Sequence, residues 1–281
     1  MSKYSNLQLR IVAGIIGAAI MVGSVYYNKW AYAAIFFLIV TLTLTEFYNL
    51  FRAAKFAPNY GIGLAISSFN YVGVFLYKIG ILDYQIFLLN IPLVISVFIA
   101  ELYRRKEKPF LNIAVTIFGV VYVSVPFILL HILVFYSNIH SEVERANGYL
   151  YYLLISLLTM MWANDTGAYT FGRLMGKHPL FKRISPKKTW EGAVGGVITT
   201  LLMAIVCGSI NTEFTYIEWC ILALVVSISG IYGDLFESLL KRSLNVKDSS
   251  SVIPGHGGFL DRFDGLLLIS PLTIVYVEIL Y

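Results

Sequence analysis

Apolar residues run in long blocks along this chain, and the polar residues gather in the gaps between them. Windows of about 20 apolar residues, the length a helix needs to cross a hydrocarbon core of about 30 Å, fall at 10–27, 30–50, 62–82, 84–103, 110–136, 149–169, 191–210, 216–240 and 265–281. The pattern predicts about nine transmembrane helices. Backbone groups in lipid must be satisfied within their own segment, so the expected fold is an all-α, polytopic integral membrane protein. The first window follows MSKYSNLQLR without a small-residue cleavage site and reads as a retained span, not a signal peptide.

The third window, GIGLAISSFNYVGVFLYKIG, is diluted by serines, an asparagine and several glycines. Charge decides in its favour. With nine spans and the amino terminus inside, cytoplasmic segments hold 18 of the 21 Lys and Arg residues, leaving Lys29, Lys78 and Arg145 outside. Without the third span, the RRKEK run at 104–108 and the loops after it would change sides, against the positive-inside rule. The carboxyl terminus is then outside. Composition agrees with a membrane setting: 58% of the 281 residues are hydrophobic and 13% charged, with a mean hydropathy of +0.75. The net charge of +5 is mostly this topological signal, and it also attracts anionic membrane lipids. It implies no nucleic acid. Cys207 and Cys220 lie in or beside apolar windows, where cysteines behave as small hydrophobes.

No internal repeat or long linker divides the chain, so residues 1–281 read as a single integral membrane domain. Chemistry is spread unevenly along it. Residues 1–160 are a motif-poor helical half, while 161–281 carry loops dense in Gly, Asp, Lys, Arg and His, all cytoplasmic in the nine-span topology.

The first dense region is NDTGAYTFGRLMGKHPLFKRISPKKTWEGAVGG. Asp165, near the end of the sixth span, either marks function, as ionisable residues at membrane depth do, or pairs with Arg173 or Lys177. GRLMGKH fails as a phosphate loop: it has three residues between its glycines where four are needed, and no Ser or Thr after the lysine. Ser185 with Pro186 is expected to start the seventh helix, so that Lys187, Lys188 and the first backbone amides converge on an anion. Membrane-edge anchoring is the alternative for both lysines. Gly192, Gly195 and Gly196 suit close helix packing.

The second dense region ends in GHGGFLDRFDG at 255–265. Asp234 lies about two turns inside the eighth span, with Ser238 and Lys241 on its helical face. A carboxylate at that depth costs on the order of 3 kcal/mol unless compensated. Lys241 is one compensator. A metal is another, because Asp261 and Asp264, spaced i and i+3, would join Asp234 in an oxygen-rich pocket suited to Mg²⁺. Lys241, Arg242, Lys247 and Arg262 would then face phosphates. Gly257 and Gly258 allow positive φ or close backbone approach. His256 is open between a hydrogen-bond donor or proton carrier and a structural turn residue. Carboxylates for a metal, cations for phosphates and a membrane boundary together point to phosphoryl or nucleotidyl transfer to a lipid.

The stretch SLLKRSLNVKDSSSVIPGHGGFLDRFD, Ser238 to Asp264, resembles the full signature of phosphatidate cytidylyltransferases, also called CDP-diacylglycerol synthases. DTGAY, FGR, GKH and SPKKTWEG are similar to the same family, and the matches span roughly residues 164–265. The resemblance implies a homodimeric enzyme that uses CTP and Mg²⁺, with a second cation left open, to convert phosphatidic acid into CDP-diacylglycerol and pyrophosphate. It implies Asp234 and Asp264 as metal-binding acids with Asp261 close by. Lys187, Lys188, Lys241, Arg242 and Arg262 would clamp phosphates, and Ser238 would lie in the pocket. Asp165, Ser185, Lys247, Asp248, His256, Gly257 and Gly258 complete the implied substrate-binding set. The inner membrane of a bacterium, with the active site facing the cytoplasm, is the expected location. A CTP-dependent lipid kinase and an ion transporter are the rival readings.

Overall fold

The computed structural model describes residues 6–136, 149–211, 214–250 and 257–280. Each apolar window carries a helix: α1 (Asn6–Tyr27), α2 (Lys29–Ala53), α3 (Tyr60–Lys78), a 3₁₀ turn (Tyr84–Leu89) leading into α4 (Asn90–Arg104), and α5 (Pro109–Gly119) continued through a π turn (Val120–Ser124) into α6 (Val125–Val134). Then follow α7 (Tyr151–Met175), α8 (Trp190–Ile210), α9 (Tyr216–Ser243) and α10 (Leu260–Leu280). Seven of these segments, the diluted third window included, are long and apolar enough to cross a membrane. The other two are α1, whose described apolar stretch is Val12–Tyr27, and α7, which carries Asn164, Asp165, Thr166 and Arg173 in its second half.

Two compact units divide the chain: Met1–His131 with Leu244–Phe263, and Ile132–Ser243 with Asp264–Tyr281. In the first, α2 is central. Tyr32, Phe36, Val40, Leu44, Phe47 and Tyr48 are all fully buried along it. Gly63 and Gly119 make room for the Tyr48 ring, whose hydroxyl donates to the Thr116 carbonyl at 2.7 Å.

In the second unit, α7 and α8 form an antiparallel pair at van der Waals distance. A Cβ on Gly196 would meet Asn164 Oδ1 at 2.7 Å, and one on Gly192 would meet the Ala168 carbonyl at 2.8 Å. The glycines of the first dense region therefore serve packing. The α7–α8 link is a short hairpin, β1 (Pro179–Phe181) antiparallel to β2 (Ser185–Thr189). This corrects the expectation that Ser185 and Pro186 open a helix. The apolar run starts only at Trp190, and Thr189 is the cap, its Oγ1 accepting from Gly192 N at 3.2 Å. Each strand of a lone hairpin is an edge, which tolerates Pro179 and Pro186.

α9 begins with a reciprocal cap: Thr215 N donates to Glu218 Oε2 at 2.7 Å, and Glu218 N donates to Thr215 Oγ1 at 3.3 Å. Tyr276 on α10 donates to the Glu218 carbonyl at 2.9 Å. At the other end of α9, a Cβ on Gly233 would meet the Asp264 carbonyl at 2.7 Å and Gly265 Cα at 3.0 Å. Only glycine allows the two helices to cross this closely.

Candidate functional site

That glycine crossing places acids from α9 and α10 side by side. Asp234, Glu237 and Asp264 each present a carboxylate oxygen, all within 4.8 Å of one another. Asp165, the candidate on α7, is exposed. Asp234 and Glu237 lie one helical turn apart and so share a face. Asp264 is fixed from its own helix, its Oδ1 accepting from Gly265 N at 2.8 Å.

Two lysines answer these acids. Lys241 Nζ lies 2.7 Å from Glu237 Oε2, with both side chains largely buried, and Lys188 Nζ pairs with Asp234. Ser238 Oγ lies 3.4 Å from Asp234 Oδ1. Strand alternation explains why Lys188 reaches the site while Lys187, its neighbour on β2, is exposed. Among the described residues, the three grouped carboxylates Asp234, Glu237 and Asp264 outnumber the two lysines paired with them, an imbalance that a cation would offset.

The acids fit an oxygen-liganded divalent ion. An octahedral shell at about 2.1 Å puts neighbouring ligand oxygens about 3 Å apart and opposite ones about 4 Å apart, so small side-chain movements would close the group around Mg²⁺. Water or phosphate oxygens would complete the shell.

A match to the model described as the cytidylyltransferase family extends over residues 8–280. This chain belongs to the cytidylyltransferase family. It is 40% identical over 178 residues to a phosphatidate cytidylyltransferase of Staphylococcus saprophyticus, covering 62% of this chain and 63% of that protein. It is 43% identical over 170 residues to one of Staphylococcus haemolyticus, covering 60% of each chain. The aligned stretches thus span about three-fifths of these relatives' length.

In this cytidylyltransferase-family chain, the other sequence-derived candidates are distributed as follows. Arg242 is exposed at the end of α9, and Ser185 is half-buried on β2. Asp261 lies in the first unit, where its carboxylate accepts from Ser249 N at 3.1 Å, Ser249 Oγ at 3.0 Å and Gly258 N at 2.9 Å. Ser249 and Gly258 therefore both hold the Asp261 carboxylate, and among the described residues the acid that groups with Asp234 and Asp264 is Glu237. Gly257 has φ of +82°. A Cβ on Gly258 would collide with Ser249 Oγ and Glu46 Oε2. Lys247, Asp248 and Arg262 are exposed. His256 lies outside the described residues.

Two residues escaped the reading of the sequence. Glu237 sits three residues after Asp234 and four before Lys241, so the face that singled out Ser238 and Lys241 contains it. Glu46 is the only acid of α2, and a lone carboxylate in an apolar span is a signal in itself. It is buried and accepts from Ser250 Oγ at 2.7 Å, Leu260 N at 3.0 Å and Ser249 Oγ at 3.3 Å. It thereby ties Ser249, Ser250 and Leu260 of the signature stretch to the otherwise motif-poor half.

Mn²⁺ titration of the purified protein, followed by electron paramagnetic resonance, separates these roles. Glu237→Gln and Asp264→Asn should each weaken cation binding by about tenfold or more. Asp261→Asn should lower thermal stability while shifting cation affinity less than about threefold. Equal losses for Asp261→Asn and Glu237→Gln would place Asp261 among the ligands.

Proposed function

We propose that this protein is a phosphatidate cytidylyltransferase, transferring CMP from CTP to phosphatidic acid to give CDP-diacylglycerol and pyrophosphate. The observation that carries the reading is the carboxylate group of Asp234, Glu237 and Asp264 with Lys188 and Lys241 paired to it. Its members lie within or beside the motifs that resemble that family, and the curated relatives bear that name.

A phosphate oxygen of the lipid attacks the α-phosphorus of CTP as the bond from that phosphorus to the bridging oxygen of the β-phosphate breaks. Pyrophosphate leaves with the electron pair. The nucleophile is already anionic, so positioning and charge neutralisation matter more than a general base. Mg²⁺ held by Asp234, Glu237 and Asp264 would supply charge neutralisation for the triphosphate. Lys188 and Lys241 hold the carboxylates in the free protein, and each ammonium can move to a phosphate oxygen when substrate enters. Arg242, Lys187, Lys247 and Arg262, exposed on nearby stretches of the sequence, are the further cations of this reading. A homodimer in a bacterial cytoplasmic membrane, as the resemblance implies, is its setting.

The 18 to 3 split of basic residues supports an orientation with both dense loops in the cytoplasm, the amino terminus inside and the carboxyl terminus outside. In a background without Cys207 and Cys220, Lys182→Cys should react with an impermeant thiol reagent only from the cytoplasmic side and Asp83→Cys only from outside. The reverse pattern would contradict the orientation.

The reaction is tested with purified protein, phosphatidic acid, Mg²⁺ and CTP labelled at the α or γ phosphorus. Label should enter the lipid from the α position only. Transfer from the γ position would identify a CTP-dependent kinase, and no transfer from either, beside a working positive control, would favour transport.

A further inference from the structure

The first unit contains a second cationic site, remote in sequence from the motifs above. A hollow of about 520 Å³ is lined by Arg52, Phe56, residues 57–61, Arg104 and Lys106. These residues sit at the end of α2, the start of α3 and the end of α4, where three membrane-length segments terminate. The hollow therefore lies at the depth of lipid headgroups.

A buried polar network holds several of its lining residues. Glu101, almost fully buried, accepts from Arg104 Nη1 at 2.8 Å and from Asn112 Nδ2 at 2.8 Å. Asn112 Oδ1 accepts from Ala57 N at 2.9 Å, Thr116 Oγ1 accepts from Asn59 N at 2.7 Å, and Arg104 Nη2 donates to the Pro58 carbonyl at 3.3 Å. This network fixes both the α2–α3 loop and one guanidinium. Arginine has five N–H donors, and these bonds use two, so Arg104 can still bind a ligand in a set orientation. Arg52 and Lys106 have no carboxylate partner within ion-pair distance among the described residues. The first turn of α3 has no side-chain cap, so its amides add positive potential at the same wall. Phe56 and Tyr60 supply an apolar flank.

We infer that this hollow binds the phosphate group of an anionic membrane lipid through Arg52, Arg104 and Lys106, at a site separate from the carboxylate group of α9 and α10. A phosphate matches a fixed guanidinium flanked by two cations without a described carboxylate partner. The aromatic flank and the membrane-edge position suit a headgroup whose chains remain in the bilayer. Bound there, the lipid would order the α2–α3 loop on the helix that carries Glu46. The inference does not depend on the reaction proposed above.

Native mass spectrometry of the full-length protein in neutral detergent, titrated with phosphatidylglycerol or phosphatidylcholine of the same chains, tests it. The wild type should bind one phosphatidylglycerol about tenfold or more tightly than phosphatidylcholine, and Arg52→Gln/Lys106→Gln should erase that preference. Lys55→Gln/Arg105→Gln removes two neighbouring charges that do not line the hollow and should leave the preference intact. Asp264→Asn should also leave it intact. Displacement of the lipid by millimolar inorganic phosphate would assign the same cations to a soluble phosphate, whereas resistance to it assigns them to the headgroup. Equal loss in both double variants would reduce the effect to general surface charge and overturn the site, as would unchanged binding in Arg52→Gln/Lys106→Gln.

Discussion

Carboxylates do not gather at a membrane boundary unless something holds them there against their repulsion and their loss of hydration. The close crossing of α9 and α10 at Gly233 and Gly265 is that constraint, since any Cβ at Gly233 would meet the backbone of the facing helix. Asp234 and Glu237 follow from one side of the crossing and Asp264 from the other. Lys188 and Lys241 lower the cost by pairing with two of them, and a divalent ion would offset the third carboxylate. Burial of Glu237 strengthens both the repulsion it feels and its attraction to that ion.

The parts that deliver these groups are built by ordinary local rules. Thr189 stops the hairpin and starts α8, which sets the strand phase that turns Lys188 inward and Lys187 outward. The Thr215–Glu218 cap fixes the start of α9, and the Tyr276 hydroxyl fastens α10 to it. Phosphates of the proposed substrate would compete with the carboxylates for the two lysines, which gives the free protein a way to keep the site ordered before that substrate arrives.

Much of this was legible in the sequence, unevenly and for physical reasons. Helix positions were, because bilayer thickness imposes a length that even the diluted α3 obeys. Asp234, Asp264, Lys241 and Ser238 were, because helical spacing and a motif resemblance coincide there. Glu237 shares their face and was still missed, since an acid four residues before a lysine reads as an ordinary surface pair. Asp261 illustrates the converse limit. Its spacing from Asp264 suggests a shared ligand, whereas the amides of Ser249 and Gly258 that it accepts from are partners that spacing does not reveal. Glu46 stands out in the sequence as a lone acid in an apolar span, but its role does not, because its partners lie about 200 residues away. The hairpin was missed because Ser-Pro is also a good helix start, and only the position of the apolar run distinguishes the two.

The central claim is that the α9–α10 crossing forms a cation centre whose third acid is Glu237. Anomalous diffraction from crystals of the full-length protein grown with Mn²⁺ tests this most directly. The account predicts a peak within coordination distance of oxygens from Asp234, Glu237 and Asp264. A peak coordinated by Asp261 in place of Glu237, or none at this crossing at saturating Mn²⁺, would contradict it.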